Sequence, residues 1–113
     1  MLKKTVLKPW GKYEILEMDN KHWIKKLFIK KGHRFSLQSH KERVEIWIVL
    51  SGSIDAVKGN KTHKLQEEDI IKIERGEKHR ITGSEDSWIL EIAFGKVREE
   101  DIVRYEDDYG RID

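Results

Sequence analysis

Short apolar runs cut by glycines organise this chain. Trp23-Ile24-Lys25-Lys26-Leu27-Phe28-Ile29 has β character, and Glu45-Ile46-Trp47-Ile48-Val49-Leu50 is apolar on both faces after its first residue. Ile54 to Lys58, then Gly59-Asn60, then Lys61 to Leu65 predicts a hairpin with a short turn. Asp69 to Ile73, Arg80 to Thr82 and Trp88 to Phe94 supply further strands. Gly11, Gly32, Gly52, Gly59, Gly76, Gly83, Gly95 and Gly110 punctuate the series, and no segment carries a sustained helical period. About eight or nine short strands at this spacing predict an all-β sandwich or barrel. The acidic stretch from Glu99 to Asp113 has weak periodicity and reads as a helical turn plus a tail lying back on the barrel. Alternation alone makes Trp47 and Trp88 core residues, and Trp10 and Tyr13 are expected to pack the N-terminal strand.

With 113 residues, 37% of them hydrophobic, the chain is expected to form one domain over residues 1–113 around a modest core. It has no cysteine, so disulfides and thiolate metal sites are excluded. Charged residues reach 39%, yet the net charge is only +2, which describes a surface laced with ion pairs. The basic residues are scattered without a long block or an aromatic-basic stripe, which argues against nucleic acid as a partner. No apolar run is long enough to span a membrane, and the apolar start is too short for a signal peptide; a cytoplasmic protein is expected.

Candidate chemistry lies in Gln38, His40, Glu45 and His79. Residues two apart in a strand share a face, so Gln38 and His40 project together. Glu45 shares its face with Trp47 and Val49, and a carboxylate on such a strand is costly unless paired or coordinated. His79 follows the turn Arg75-Gly76-Glu77-Lys78 at the start of another strand. The four make a mixed N/O ligand set, with room for the open positions a catalytic metal needs. Such a set suits zinc first, and also cobalt, manganese, nickel or iron. His22, His33 and His63 sit in polar stretches and read as surface residues.

These residues carry a resemblance. Gly32, Gln38-x-His40, Glu45 and Gly52 stand at the spacing of the first cupin motif, G-x5-H-x-H-x3,4-E-x6-G, with Gln for the first His. Glu74-x-Gly76-x-x-His79 resembles the second, P-x-G-x-x-H, with Glu74 for the proline. Within the cupins, Lys8-Pro9-Trp10-Gly11-Lys12-Tyr13-Glu14 looks like the R/K-P-W-G-x-Y-E opening of type II phosphomannose isomerase domains. These are the C-terminal parts of bifunctional mannose-1-phosphate guanylyltransferase/phosphomannose isomerases. Ser36-Leu37-Gln38-Ser39-His40 resembles their S-L-Q-x-H, Arg43-x-Glu45-x-Trp47 their R-x-E-H-W, and Lys78-His79-Arg80 their K-H-R. The stretch from Asp101 to Arg111 resembles their D-I-V-R-x-E-D-x-Y-G-R ending.

The resemblance implies a double-stranded β-helix, a divalent metal held by Gln38, His40, Glu45 and His79, and interconversion of mannose 6-phosphate and fructose 6-phosphate. The isomerisation needs a base, for which Glu42 and Lys12 are the candidates. The phosphate needs cations, for which Arg43, Arg80 and Arg111 are the candidates. Three positions depart from the family: Lys41-Glu42 where a His-rich segment is usual, Ile46 for His, and Ala93 where the family's E-V-Q-x-G strand has a polar residue. The ligand set is intact, so the departures bear on turnover and sugar specificity. The nucleotidyltransferase half is not in this sequence, so a stand-alone isomerase is expected. The alternative is a non-catalytic or regulatory cupin that binds a sugar phosphate, and a third reading is a cupin of other chemistry. A homodimer is expected, since the face carrying Ile46, Ile48 and Leu50 needs a second sheet or a partner to cover it.

Overall fold

Alternation decides the architecture. In the strand His22–Ile29, Trp23, Lys25, Leu27 and Ile29 are buried while the residues between them are half-exposed. The same period sorts Arg43–Ser51, where Arg43, Glu45, Trp47 and Val49 face inward. A computed structural model describes residues 4–111. The strands are β1 (Lys4–Lys8), β2 (Gly11–Met18), β3 (His22–Ile29), β4 (Leu37–Ser39), β5 (Arg43–Ser51), β6 (Ser53–Lys58), β7 (Lys61–Gln66), β8 (Ile70–Ile73), β9 (His79–Gly83), β10 (Ser87–Gly95) and β11 (Val103–Glu106).

They form two antiparallel sheets, β1-β2-β3-β10-β5-β8 and β11-β4-β9-β6-β7. The inner faces enclose one main core that includes Trp10, Leu27, Ile29, Phe35, Trp47, Ile54, Ile81 and Ile89. This is the expected all-β, double-stranded β-helix arrangement. The predicted hairpin is β6–β7, and Gly59 takes a φ of +63°, the positive value required at the start of its two-residue turn. Gly52, at φ +85°, lets the chain pass from β5 to β6 where a Cβ would lie 2.3 Å from Ser87 Oγ.

Two expectations fail. The tail after Glu99 contains no helix among the described residues; Val103–Glu106 instead pairs with β4 as an edge strand. The short strand β4 has β9 on one side only, and β-branched Val103 and aromatic Tyr105 suit the open edge. Residues 112–113 of that tail lie outside the described chain. Trp88 is not core: Ser87 and Ile89 take the inward positions, and Trp88 packs on Phe28 on the outer face at 5.0 Å between ring centroids. An irregularity in the β10–β5 pairing at Trp88 and Ile89 accompanies this. Ile46, Ile48 and Leu50 lie on that same outer face, where the second sheet does not cover them. No helix among the described residues is long and apolar enough to cross a membrane.

Candidate functional site

Register brings the site together at one end of the barrel. Across the six-stranded sheet, one inward row runs Trp23–Ala93–Glu45–Ile73, and the next runs Lys25–Glu91–Trp47–Ile71. On the facing sheet, Gln38 of β4 stands directly opposite His79 of β9. His40 follows β4 and is 2% exposed, His79 and Glu45 no more than 1%. Nitrogens of the two imidazoles and a carboxylate oxygen of Glu45 all lie within 4.8 Å of one another.

Each imidazole is oriented from behind. His40 Nδ1 meets the Asp101 carbonyl oxygen at 2.6 Å, and His79 Nδ1 meets that of Glu77 at 2.8 Å. A carbonyl can only accept, so each Nδ1 carries the proton and each Nε2 presents a lone pair. The two Nε2 atoms are 3.1 Å apart, and Glu45 Oε2 lies 3.4 Å from that of His40 while Oε1 lies 3.6 Å from that of His79. Asp101 fixes the approach of His40 further, since its carboxylate accepts from Lys41 N and Glu42 N, each at 2.9 Å.

The electrostatics keep both rings neutral. Burial pushes the His40 pKa down to about 4 and lowers that of His79, despite the nearby Glu45 carboxylate. Burial opposes ionisation of Glu45, yet His79, His40 and Arg43 together hold it below the ordinary carboxylate value. With both rings neutral, Arg43 is the cation that acts at pH 7. Glu45 Oε1 is buried without a hydrogen-bond partner. Two neutral Nε2 atoms and a carboxylate with an orphaned oxygen are the donor set that a divalent cation accepts. The residues therefore fit a metal.

Gln38 is placed beside them by its register with His79, and its side chain is turned so that Oε1 accepts from Ser36 Oγ at 2.7 Å. It lines a recess together with Trp10, Tyr13, Phe35, Arg43 and Glu91. Arg43 is buried, and each guanidinium nitrogen has one partner: Nε donates to Glu45 Oε2 at 2.9 Å, Nη1 to the Arg98 carbonyl at 3.0 Å, and Nη2 lies 3.0 Å from His40 Nε2. It also stacks 4.3 Å from the Trp23 ring, beside the small Ala93. Arg43 is thus a fixed neighbour of the cluster that also borders the recess.

Other expected site residues stand elsewhere. Lys12 lies in register with Phe28 on the outer face, its Nζ 5.5 Å from the Trp88 ring, so it cannot act as a base here. Glu42 turns to Arg98 and Lys96 in the loop after β10. Arg80 is buried, donating to the Phe35 carbonyl and to Glu106, and ties β11 to the barrel. Arg111 does line the recess, held there by a two-point contact with Asp107.

Further charged groups line the same recess. Glu91 accepts from Trp23 Nε1 at 3.0 Å, and burial, with Glu45 adding, pushes its pKa up to about 7 against Lys25 and Arg43. Lys25 Nζ donates to Glu99 at 2.6 Å and sits 3.6 Å from the Trp23 ring centroid. Tyr13 donates to Glu99 at 3.3 Å. The sequence offered a signal for two of these: Lys25 and Glu91 are charged residues at the inward parity of strands whose other inward positions are uncharged.

Residues 1–107 match the family described as mannose-6-phosphate isomerase C-terminal. The xanthan biosynthesis protein XanB of Xanthomonas campestris pv. campestris is 36% identical over 111 residues, covering 96% of this chain and 24% of XanB. The alginate biosynthesis protein AlgA of Pseudomonas aeruginosa is 38% identical over 109 residues, covering 94% of this chain and 23% of AlgA. The chain thus spans about a quarter of the length of these relatives. Among solved structures, an RmlC-like cupin from Shewanella frigidimarina superposes with a TM-score of 0.78 at 17% identity, covering 87% of each chain. That likeness shows the cupin fold, and the family match is independent of it. On that match, the chain belongs to the mannose-6-phosphate isomerase C-terminal family.

Proposed function

We propose that this chain is a divalent-metal-dependent isomerase interconverting mannose 6-phosphate and fructose 6-phosphate. The observation that carries the reading is the convergence of His40 Nε2, His79 Nε2 and an unpartnered Glu45 oxygen beside a recess lined by the buried acid Glu91. The family's description supports the substrate. His40, Glu45 and His79 would hold the metal, with Gln38 adjoining them across β4–β9. When bound, the cation supplies Lewis acidity, which lowers the cost of negative charge on the sugar oxygens.

The protein's own part is proton transfer and exclusion of water. Glu91 takes the proton from C2 of the open-chain aldose and returns it to C1, while the hydroxyl proton passes between the two oxygens. A carboxyl held near neutral pKa is suited to both halves of that exchange. Lys25 stands in register with Glu91 and balances its charge when it ionises. Trp10, Leu27 and Phe35 wall the recess and keep the carbon acid away from bulk water.

The test is a coupled assay on stripped protein resupplied with zinc, cobalt, manganese, nickel or iron, with mannose 6-phosphate as substrate and fructose 6-phosphate as the product read. Turnover with at least one metal is expected. Absence of turnover with every metal, alongside saturable sugar-phosphate binding, would favour a non-catalytic sugar-phosphate-binding cupin. One observation supports that second reading: Arg43 Nη2 already lies 3.0 Å from the His40 lone pair, so the cluster is partly satisfied by protein alone.

A further inference from the structure

The outer face of the six-stranded sheet is apolar where solvent favours polar side chains. On β3, β10, β5 and β8 the outward positions are mostly aliphatic or aromatic. Ile70 is 63% exposed, and Leu50 and Phe94 are each 38% exposed. The sheet has six strands, the longest of nine residues. At about 4.8 Å between strands and about 3.3 Å per residue, its outer face measures roughly 700 Å². Monomers rarely leave more than a few hundred Å² of contiguous apolar surface in water. The area approaches the roughly 800 Å² that each partner contributes to a stable interface.

Strand register orders this face. One outward row runs Glu17–Ile24–Ile92–Ile46–Lys72 across β2, β3, β10, β5 and β8. Its three central positions are isoleucine, its ends carry opposite charges, and β10 stands at its middle. Such a row complements itself under one operation. A two-fold axis in the interface plane and parallel to β10 sets β10 on β10, β3 on β5 and β2 on β8. Ile92 then meets the partner's Ile92, and Glu17 meets the partner's Lys72, twice over by symmetry. In the neighbouring row Leu90 lies on the same axis, and Ile48 comes over the partner's Lys26. Lys26 suits that place, because its Nζ is drawn 4.6 Å from the Trp88 ring centroid and its stem is apolar. An in-plane axis perpendicular to the strands would instead bring like-charged ends together. Within one chain Glu17 pairs with His22 and Lys72 with Glu74, yet both Glu17 and Lys72 stay exposed. Charges so placed at a rim fix orientation more than affinity.

From this we infer that the outer face of β3, β10, β5 and β8 docks a second copy of this chain, about a two-fold axis parallel to β10, with Glu17 of each copy against the partner's Lys72. The isoleucines and Leu90 form the apolar centre of the interface, and the charged ends form its rim. β5 and β10 carry Glu45 and Glu91 on their inner faces, so interface and recess lie back to back on the same strands. The inference uses no residue of the recess and stands apart from the isomerase reading.

Sedimentation equilibrium of the full chain tests this. Wild type is expected at twice the mass of one chain at micromolar concentrations. Ile92→Glu sets two carboxylates face to face on the axis and should raise the dissociation constant about 100-fold or more. Glu17→Lys and Lys72→Glu should each weaken the dimer about tenfold, because each turns two attractions into repulsions. The double exchange should return it to within about threefold of wild type. Glu17 and Lys72 are exposed, so the exchange reports even where Ile92→Glu fails to fold. Single-chain mass in wild type throughout the micromolar range would overturn the inference and leave the face to a different partner chain. A dimer of unchanged affinity in Ile92→Glu would also overturn it, by moving the contact to another surface. Single exchanges without effect, or a double exchange no tighter than the single ones, would overturn the two-fold arrangement.

Discussion

His40 Nε2 and His79 Nε2 face each other at 3.1 Å inside the barrel, while the Nδ1 of each ring is committed to a backbone carbonyl. Two neutral imidazoles so arranged turn lone pairs toward each other. A shared proton could relieve the contact, but burial holds the His40 pKa at about 4, well below the neutral range. A divalent cation relieves it at neutral pH. His79→Ala is therefore expected to lose stoichiometric metal in elemental analysis. In wild type, metal at a hundred times its Kd should stabilise the fold by about 2.7 kcal/mol, a gain that the variant lacks. Equal metal content in both proteins would move the site away from these rings.

Arg43 and a metal compete for the same electrons. Its Nη2 lies 3.0 Å from His40 Nε2, and its Nε donates to Glu45 Oε2 at 2.9 Å. Arg43→Met keeps a long apolar stem but leaves Glu45 buried without its cation, and breaking such a pair costs about 3 kcal/mol or more. The metal-free variant should unfold at lower urea concentration than metal-free wild type. Its metal affinity should rise, because a like charge and a competing donor are gone. A fall in both quantities would show that Arg43 positions the ligands rather than competing for them.

The fold was more legible in the sequence than the site. Alternation in β3 and β5, and Gly59-Asn60 between β6 and β7, announce strands through local patterns that survive in the structure. Trp88 misled because its run is apolar on both faces, and parity is then set by the partner strands. His40, Glu45 and His79 were legible because cupin spacing places them on facing strands. Lys12 and Glu42 were not, because sequence proximity to a motif does not give the side of the sheet or the direction of a loop. Arg104 lay hidden in a segment read as a helical turn, and only its register with Gln38 brings it to the recess.

Glu91 should leave a signature in the pH dependence of stability. Its folded pKa is raised from 4.5 to about 7 by burial first and by Glu45 second. Between those values the unfolded chain has released its proton and the folded chain still holds it. Glu91's contribution is thus fully present below pH 4.5 and lost as pH rises through 7. Integrated over that window, the loss is about 3 kcal/mol. Urea titrations of metal-stripped Glu91→Gln should show a flatter profile across the window than wild type. Profiles of identical slope would mean that Glu91 ionises normally, and the proton-transfer role assigned to it would fall.

The same carboxyl separates chemistry from proximity in the chain. Glu91→Gln keeps shape and the hydrogen bond from Trp23 but cannot accept a proton, so kcat with mannose 6-phosphate should fall about 100-fold or more, the usual loss for a general base. Lys12→Ala should stay within about twofold of wild type, because Lys12 packs on Trp88 outside the barrel. Glu42→Gln removes only the contacts with Arg98 and Lys96, and a loss below about tenfold is expected. A larger loss in Lys12→Ala or Glu42→Gln than in Glu91→Gln would place the base outside the recess. Retained metal and unchanged mannose 6-phosphate affinity in Glu91→Gln complete the argument, because a merely structural defect would lower those along with kcat.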